Sequence, residues 1–423
     1  MNRLIILARW VVLSGFVIVL LTYSNVYDLE RQDRVRTYTR MFEFEYVSWT
    51  LDAFHTKFDQ AALSTSHFLT ALQNKQIVKS CVSLVTQLDQ VNQHIDQIYS
   101  DPKIGDPSTA SATLTRQRDQ LKARQALLQP LCEDILQQQV GAVLKDWGLA
   151  NGGQTLPPLL YHVTPLPLAL ITSPRDKIIQ DQDISLQADL KIEDITLLEK
   201  QVEQGLNVSA LVVPVGGIGI YPTMVLATDD LPSQANTISH EWTHNFLTLR
   251  PLGLNYETSP ELRTMNETTA SIVGKEVGDE VIRRYYPELA PPPPQPASTQ
   301  PQKPTQPEKP QTPPPFNFNK EMHTTRITAD ELLKEGKIKE AEDYMEQRRQ
   351  FIWDNGYHIR RLNQAYFAFY GAYADVPGGA AGNDPVGPAV VLLRKHSASL
   401  ADFLNRISWL SSFDQLKKAV QTP

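Results

Sequence analysis

The chain has little cysteine and little net charge. Only two cysteines, Cys81 and Cys132, occur in 423 residues, so there is no cluster of thiolates of the kind that usually closes a structural metal site. The net charge is only -7 at pH 7, and Lys and Arg are dispersed along the chain. The composition therefore gives no electrostatic basis for nucleic-acid binding, and no nucleic-acid partner is expected.

The N-terminal segment lacks both charge and a cleavage signal. From Leu4 to about Tyr23, Arg9 is the only charged residue, and such a run approaches the length that spans a bilayer. Arg3 and Arg9 favour a cytoplasmic N-terminus. No Ala-x-Ala signal follows, which favours an uncleaved anchor over a removed signal peptide. We expect a single-pass membrane protein with a transmembrane anchor at 1–27 and an extracytoplasmic remainder.

The region 28–150 is predicted to be a helical hairpin. Two apolar stripes have helical spacing there, and they consist of Ile77, Cys81, Leu84, Leu88, Val91, Ile95 and Ile98, and of Leu114, Leu121, Leu128, Cys132 and Ile135. A turn-rich segment at 100–108 separates the stripes, which predicts antiparallel packing. Pro130 is expected to kink or restart the second helix.

The positions of the two cysteines predict a disulfide across this hairpin. Their midpoint in the sequence falls between Asp106 and Pro107, inside the predicted turn. An antiparallel hairpin closing there brings Cys81 and Cys132 to the same level, and an exported protein commonly meets an oxidising compartment. The alternative is two buried free thiols.

The region 151–290 contains the most informative motif, His-Glu-Trp-Thr-His at 240–244. On a helix, His240 and His244 lie one turn apart on one face, and Glu241 lies beside them. Glu267 follows after 22 intervening residues in a second predicted helix that begins at Ser259-Pro260. Two imidazoles and one carboxylate with an open fourth position are typical of a catalytic zinc site, so Zn²⁺ is the expected cofactor.

Apolar stripes and strands place this motif in a core. Ala235, Ile238, Trp242, Phe246 and Leu249 predict the buried side of the first helix, with Ser233 as its N-cap. The runs 210–215 and 218–226 are predicted strands broken by Gly216 and Gly217. Their prolines favour an edge strand, which can bind an extended peptide or serve only as an ordinary exposed edge.

At these residues the chain resembles the gluzincin metallopeptidases, in which HExxH is followed by a glutamate as third ligand. The His-Glu-Trp-Thr-His and Asn-Glu-Thr-Thr-Ala motifs are most similar to those of bacterial putative aminopeptidases. Over about residues 210–290, the resemblance implies a zincin-like core in which His240, His244 and Glu267 bind zinc and Glu241 is the general base.

The sequence departs from two branches of that family. The thermolysin branch has an acidic residue four positions after the third ligand, where this chain has Ser271. A run like the Gly-x-Met-Glu-Asn of the large aminopeptidases is missing, so cleavage inside a chain or at its end remains open.

The C-terminal part supplies candidates for oxyanion stabilisation, because related peptidases use a Tyr or His for this role. The candidates lie in the segment 357–361, which contains His358, and in the aromatic run of Tyr366, Tyr370 and Tyr373; His358 and Tyr370 are preferred. The competing interpretation is that the aromatic run from Tyr366 to Tyr373 belongs to the core.

A Pro-rich segment at 291–319 is predicted to be a disordered linker before a helical subdomain at 320–423 that completes the core. A capping box at 328–331 and Gly336 predict a short helical hairpin. The glycine-rich loop 378–387 is a candidate flap.

The expected fold is thus α+β and predominantly helical, with a small edge-strand sheet. The expected function is hydrolysis of a peptide or protein substrate. The alternative is a non-catalytic, membrane-anchored scaffold with a structural or vestigial metal site. The sequence gives no indication of the oligomeric state.

Overall fold

The computed structural model describes residues 29–63, 65–100, 104, 106–290, 316–373 and 379–421. Within these ranges the fold is predominantly helical with small sheets, as predicted. The expected anchor at 1–27 and most of the expected Pro-rich linker lie outside them. Among the described helices, none is long and apolar enough to cross a membrane.

The N-terminal helices are α1 Leu29–Thr39, α2 Tyr46–Leu63, a 3-10 turn Thr65–Phe68, α3 Ala71–Ser100 and α4 Pro107–Asp146. Helices α3 and α4 form the predicted hairpin, with a small apolar cluster that includes Leu84, Leu88 and Leu121. The predicted disulfide joins Cys81 to Cys132, whose Cα atoms are 6.7 Å apart.

Pro130 does not restart the second helix of the hairpin, because α4 runs without a break from Pro107 to Asp146. A proline removes one backbone hydrogen bond, but tertiary packing supplies most helical stability in proteins. On the turns around Pro130, Cys132, Glu133 and Ile135 are buried. This packing accounts for the continuity of the helix.

The strands are β1 Ala150–Asn151, β2 Gln154–Thr155, β3 Tyr161–Val163, β4 Leu168–Pro174, β5 Gln182–Leu186, β6 Val208–Pro214, β7 Gly217–Ile218 and β8 Thr223–Val225, with helix α5 Ile192–Leu206 before β6. They form a β1-β2 pair, an antiparallel β5-β4-β6 sheet and a β3-β8-β7 sheet. In the last sheet β3 pairs with β8 in parallel and β7 pairs with β8 antiparallel.

Each of the two predicted strand regions, 210–215 and 218–226, contributes an edge strand, but the second region forms two strands instead of one. Strand β6 is an edge of its sheet. The run 218–226 folds back on itself, so that Ile218 faces Met224 across a short hairpin. Strand β7 becomes the edge that lies beside the histidine helix.

The remaining helices are α6 Leu231–Leu247, α7 Pro251–Leu254, α8 Pro260–Tyr285, α9 Phe318–Lys334, α10 Ile338–Asp354, α11 Gln364–Tyr370, α12 Val386–His396, α13 Leu400–Ile407 and α14 Phe413–Gln421. Short 3-10 turns lie at Pro287–Leu289 and Gly379–Ala381. Helices α9 and α10 form the predicted C-terminal hairpin around Gly336, which has φ +75°.

Two boundaries in the C-terminal part differ from the expected ones. Helix α9 begins at Phe318, with the Asn317 side chain accepting from the Lys320 amide, so it starts inside the expected linker and runs through the predicted capping box. Gly387 lies buried in α12 instead of in a flap. The described part of the loop before it is held by Arg326, which donates to the Ala380 carbonyl at 3.2 Å.

One hydrophobic cluster joins three parts of the chain. It includes Val140 from α4, Trp242 from α6, Val277 from α8, and Val390 and Phe403 from the C-terminal helices. All five side chains are almost fully buried. The C-terminal helices therefore pack into the same core as the two helices that carry the metal motif.

Candidate metal centre

Helix α6 fixes the positions of the two histidines. It begins after Asp230, whose carboxylate accepts a hydrogen bond from the Ser233 amide at 3.2 Å, so Asp230 and not Ser233 is the N-cap. Its buried side is the predicted stripe as far as Phe246. The last predicted member, Leu249, is 84% exposed because the helix ends at Leu247.

Two glycines allow α8 to approach α6 closely. A Cβ atom at Gly278 would lie 2.8 Å from the Asn236 amide nitrogen. A Cβ atom at Gly274 would lie 2.5 Å from Asn236 Oδ1 and 3.0 Å from His240 Cβ. Only residues without a side chain fit there. Because the helices can come so close, Glu267 on α8 reaches the histidines on α6.

His240, His244 and Glu267 form a group that can hold a metal ion, and their ligand atoms all lie within 4.8 Å of one another. The two Nε2 atoms are 3.1 Å apart. Glu267 Oε2 lies 3.5 Å from His240 Nε2 and 3.6 Å from His244 Nε2. Three atoms bound tetrahedrally to one ion at about 2.1 Å are roughly 3.4 Å from each other, so these residues fit a metal ion.

Hydrogen bonds from neighbouring residues orient two of the three ligands. His244 Nδ1 lies 2.9 Å from Asn266 Oδ1. When Nδ1 donates this bond, Nε2 carries the lone pair that a metal requires. The hydroxyl of Tyr256 donates to Oε1 of Glu267. The other oxygen, Oε2, is buried without a hydrogen-bond partner and faces the histidines.

The electrostatics of the cluster favour a cation among the ligands. Burial lowers the pKa of His244, but Glu267 outweighs burial and raises this pKa to about 9. Burial raises the pKa of Glu267, but His244 and His240 outweigh it and hold this pKa well below 4.5. The carboxylate is therefore ionised and attracts positive charge, which a metal ion can supply in place of a proton.

The side chain of Glu241 points from α6 toward a glycine-rich run, 216–219, that includes strand β7. It is 7% exposed, and burial raises its pKa. A Cβ atom at Gly217 would lie 2.3 Å from Glu241 Oε1. A Cβ atom at Gly219 would lie 2.6 Å from His244 Cβ. The backbone of this run therefore covers the motif so closely that a side chain at either position would have to displace Glu241 or His244.

The ligands open onto a cleft of about 960 Å³, whose walls come from several helices and from the sheets. Tyr46 from α2, Asp183 from β5 and Arg263 from α8 line it. Arg263 is 8% exposed and donates to the Ala368 carbonyl at 3.0 Å. This bond ties the Glu267 helix to the C-terminal part of the chain. Ser271, which stands where the thermolysin branch has an acidic residue, also lines the cleft. The side chain that contacts His244 is that of Asn266.

The two preferred oxyanion candidates differ in position. Tyr370 lines the cleft, whereas His358 is exposed outside it and lies against Trp353, with ring centroids 4.4 Å apart. The next residues explain this position, because Arg360 and Arg361 both pair with buried Glu199. Another candidate from the aromatic run, Tyr373, stacks on His240 with ring centroids 6.2 Å apart.

Three further contacts of the site were not predicted. Asn266 directly precedes Glu267 in the sequence, and this adjacency was the available signal for its contact with His244. Gly217 was interpreted only as a strand break, although a glycine run beside the motif also permits close approach. For Tyr256 the sequence has no comparable signal, because it reaches Glu267 from the irregular segment between α7 and α8.

Comparison with known proteins gives no relatives. No family model matches the chain, and no match was found among curated proteins or among solved structures.

Proposed function

We propose that the chain is a membrane-anchored, extracytoplasmic zinc metallopeptidase that hydrolyses peptide bonds in a peptide or protein substrate. One observation carries the proposal. His240, His244 and Glu267 converge on one point at the wall of an open cleft, with the carboxylate of Glu241 beside them. Two imidazoles, one carboxylate and an open position are the donor set of catalytic zinc. The resemblance of the two motifs to those of gluzincins supports the same function.

Each group of residues in the site has its own role in the proposed reaction. His240, His244 and Glu267 hold zinc, which when bound lowers the pKa of water and polarises the scissile carbonyl. The carboxylate of Glu241 accepts a proton from the attacking water and donates it to the leaving amine. Its buried position raises its pKa and so suits it to holding that proton. Tyr373 and Tyr370 are the hydroxyl donors on the cleft wall for the oxyanion.

The shape of the site supports a polypeptide substrate. Strand β7 is the edge of its sheet and has β8 on one side only. An extended peptide can add to such an edge through backbone hydrogen bonds. Gly216, Gly217, Ile218 and Gly219 all line the cleft, so a chain bound along this edge passes beside Glu241.

The test combines metal analysis with turnover of a mixed peptide library by the purified full chain. We expect about one zinc per chain and hydrolysis that a chelator abolishes. Loss of zinc is expected in His240→Ala and in Glu267→Ala. The matched control is His358→Ala, which removes an exposed histidine outside the cleft and should keep both zinc and activity.

Two results would contradict the proposal. Full zinc retention in either ligand variant would remove that residue from the ligand set. A zinc-loaded protein that turns over no member of the library would favour the alternative, a non-catalytic anchored scaffold with a structural or vestigial metal site.

A further inference from the structure

Helix α2 exposes an apolar stripe to its surroundings. Val47, Leu51 and Phe58 are 69%, 63% and 74% exposed, respectively. With the half-buried Phe54 they have the spacing i, i+4, i+7 and i+11, which places all four on one face of the helix. Large apolar side chains grouped in this way on a surface mark an interaction site more often than isolated ones do.

The opposite face of α2 is fixed to the protein. Ala53 is 1% exposed and packs with Leu166 and Met224. The Trp49 indole donates to Thr164 Oγ1 at 3.1 Å, and Lys57 Nζ pairs with buried Glu133 at 2.7 Å. With these contacts in place, the helix cannot turn its apolar stripe inward.

The sequence before α2 indicates what covers the stripe. The apolar run expected to span the bilayer ends at about Tyr23, and α1 begins at Leu29. The five residues between them extend over at most about 20 Å. Helix α1 and the six residues 40–45 then lead directly into α2. If the expected anchor lies in the bilayer, the bilayer surface is therefore within reach of α2.

The charges next to the stripe exclude an electrostatic origin for this contact. Asp52 and Asp59 are exposed on the neighbouring face of α2, and acidic residues gain nothing from anionic lipids. Burial of apolar side chains at the boundary between headgroups and acyl chains needs no such attraction. The stripe thus fits a neutral bilayer surface.

We propose that α2 lies on the bilayer surface, with Val47, Leu51, Phe54 and Phe58 inserted at the interface. The contact rests on the expected anchor and is independent of the proposed peptidase activity. It also bears on the cleft, because Tyr46 at the start of α2 lines the cleft and Phe54 packs near Tyr221, with ring centroids 6.3 Å apart. The membrane is then about one helix diameter, ~10 Å, from the cleft wall.

The test is a fluorescence measurement on the full chain reconstituted in phosphatidylcholine vesicles. Because Cys81 and Cys132 are paired, a polarity-sensitive dye attached to Leu51→Cys labels one new thiol only. We expect blue-shifted emission and quenching by a lipid that carries a doxyl group near the headgroup end of its acyl chain. Added salt should leave both unchanged. Phe58→Cys repeats the measurement in case one variant fails to fold.

The matched control is Leu127→Cys on α4, where the native side chain is 82% exposed. The emission of a dye at this position should indicate an aqueous environment, and the doxyl lipid should not quench it. Equal lipid quenching at positions 51 and 127 would overturn the proposal. Protection of position 51 from aqueous iodide without lipid quenching would also overturn it, since the stripe would then be covered by protein, either residues 1–28 or a second copy.

Discussion

The hydroxyl of Tyr256 donates a hydrogen bond to Oε1 of Glu267, while Oε2 of the same carboxylate faces the two histidine nitrogens. One oxygen is thus held in place by the protein and the other is left for a metal. Such a contact fixes the rotation of the carboxylate before any ion binds, and this lowers the entropy lost on binding.

Replacing Tyr256 with Phe is expected to weaken metal binding by about 10- to 100-fold, the usual effect of losing a contact to a ligand. Competition for zinc with a chromophoric chelator measures the affinity. Tyr357→Phe is the control, because Tyr357 stacks on Phe318 away from the cleft. Equal affinities for the two variants would show that the Tyr256 hydroxyl does not support the ligand.

Replacing Glu241 with Gln separates proton transfer from metal binding. The amide keeps the size of the side chain but cannot accept the proton, so hydrolysis should fall by roughly two to four orders of magnitude. Zinc content should stay unchanged, because Glu241 is outside the ligand group. Glu193→Gln, an exposed position on α5, should be fully active. Undiminished hydrolysis by Glu241→Gln would rule out its role as base.

A methyl group at Gly217 should displace the same carboxylate, because the three atoms nearest to it all belong to Glu241. Its Cβ atom would lie 2.3 Å from Glu241 Oε1 and 2.6 Å from Cδ, so the flexible side chain must move. We expect Gly217→Ala to fold and bind zinc but to hydrolyse peptides at least about tenfold more slowly. Gly216→Ala is the matched control, since a Cβ atom there meets nothing within 4 Å. Similar rates for both variants would contradict the close fit.

Glu133 should make stability depend on acid pH. Burial raises the pKa of Glu133, but Lys57 and His162 outweigh burial and lower it from 4.5 to about 2. The ionised carboxylate therefore stabilises the folded state above about pH 4.5, and this contribution is lost as the pH falls toward 2.

The variant Glu133→Gln leaves the Lys57 ammonium buried without its counter-charge. Near neutral pH it should lower the free energy of unfolding by roughly 3–5 kcal/mol. Thermal unfolding at a series of pH values measures the difference from the native chain, which should narrow as the pH falls below 4.5. A difference that is the same at every pH would assign the effect to packing and not to charge.

Local pattern was sufficient to predict the elements that carry the site. The apolar stripe through Trp242 predicts a helix with His240 and His244 on one face, and Ser259-Pro260 predicts the start of the helix with Glu267. The disulfide between Cys81 and Cys132 followed from the midpoint of a hairpin. In each case the deciding interactions repeat along the chain or connect nearby turns, so the sequence displays them directly.

The rest depends on how distant segments pack. His358 lies shortly after α10, and its position depends on Arg360 and Arg361, which pair with Glu199, 161 and 162 residues earlier in the chain. The contact of Tyr256 with Glu267 depends on the path of an irregular segment. The continuity of α4 through Pro130 depends on burial of the residues around it. None of these interactions leaves a periodic signal.

The cluster that joins α4, α6, α8 and the C-terminal helices has a consequence for proteolysis. A protease that cuts within the sequence 291–315 breaks the covalent connection between the metal ligands and the core residues Val390 and Phe403. Both fragments nevertheless share one buried interface, reinforced by the Arg394 pair with Glu276 at 2.8 Å. The cut chain should therefore migrate as two bands after denaturation and as one particle before it, with its metal centre intact.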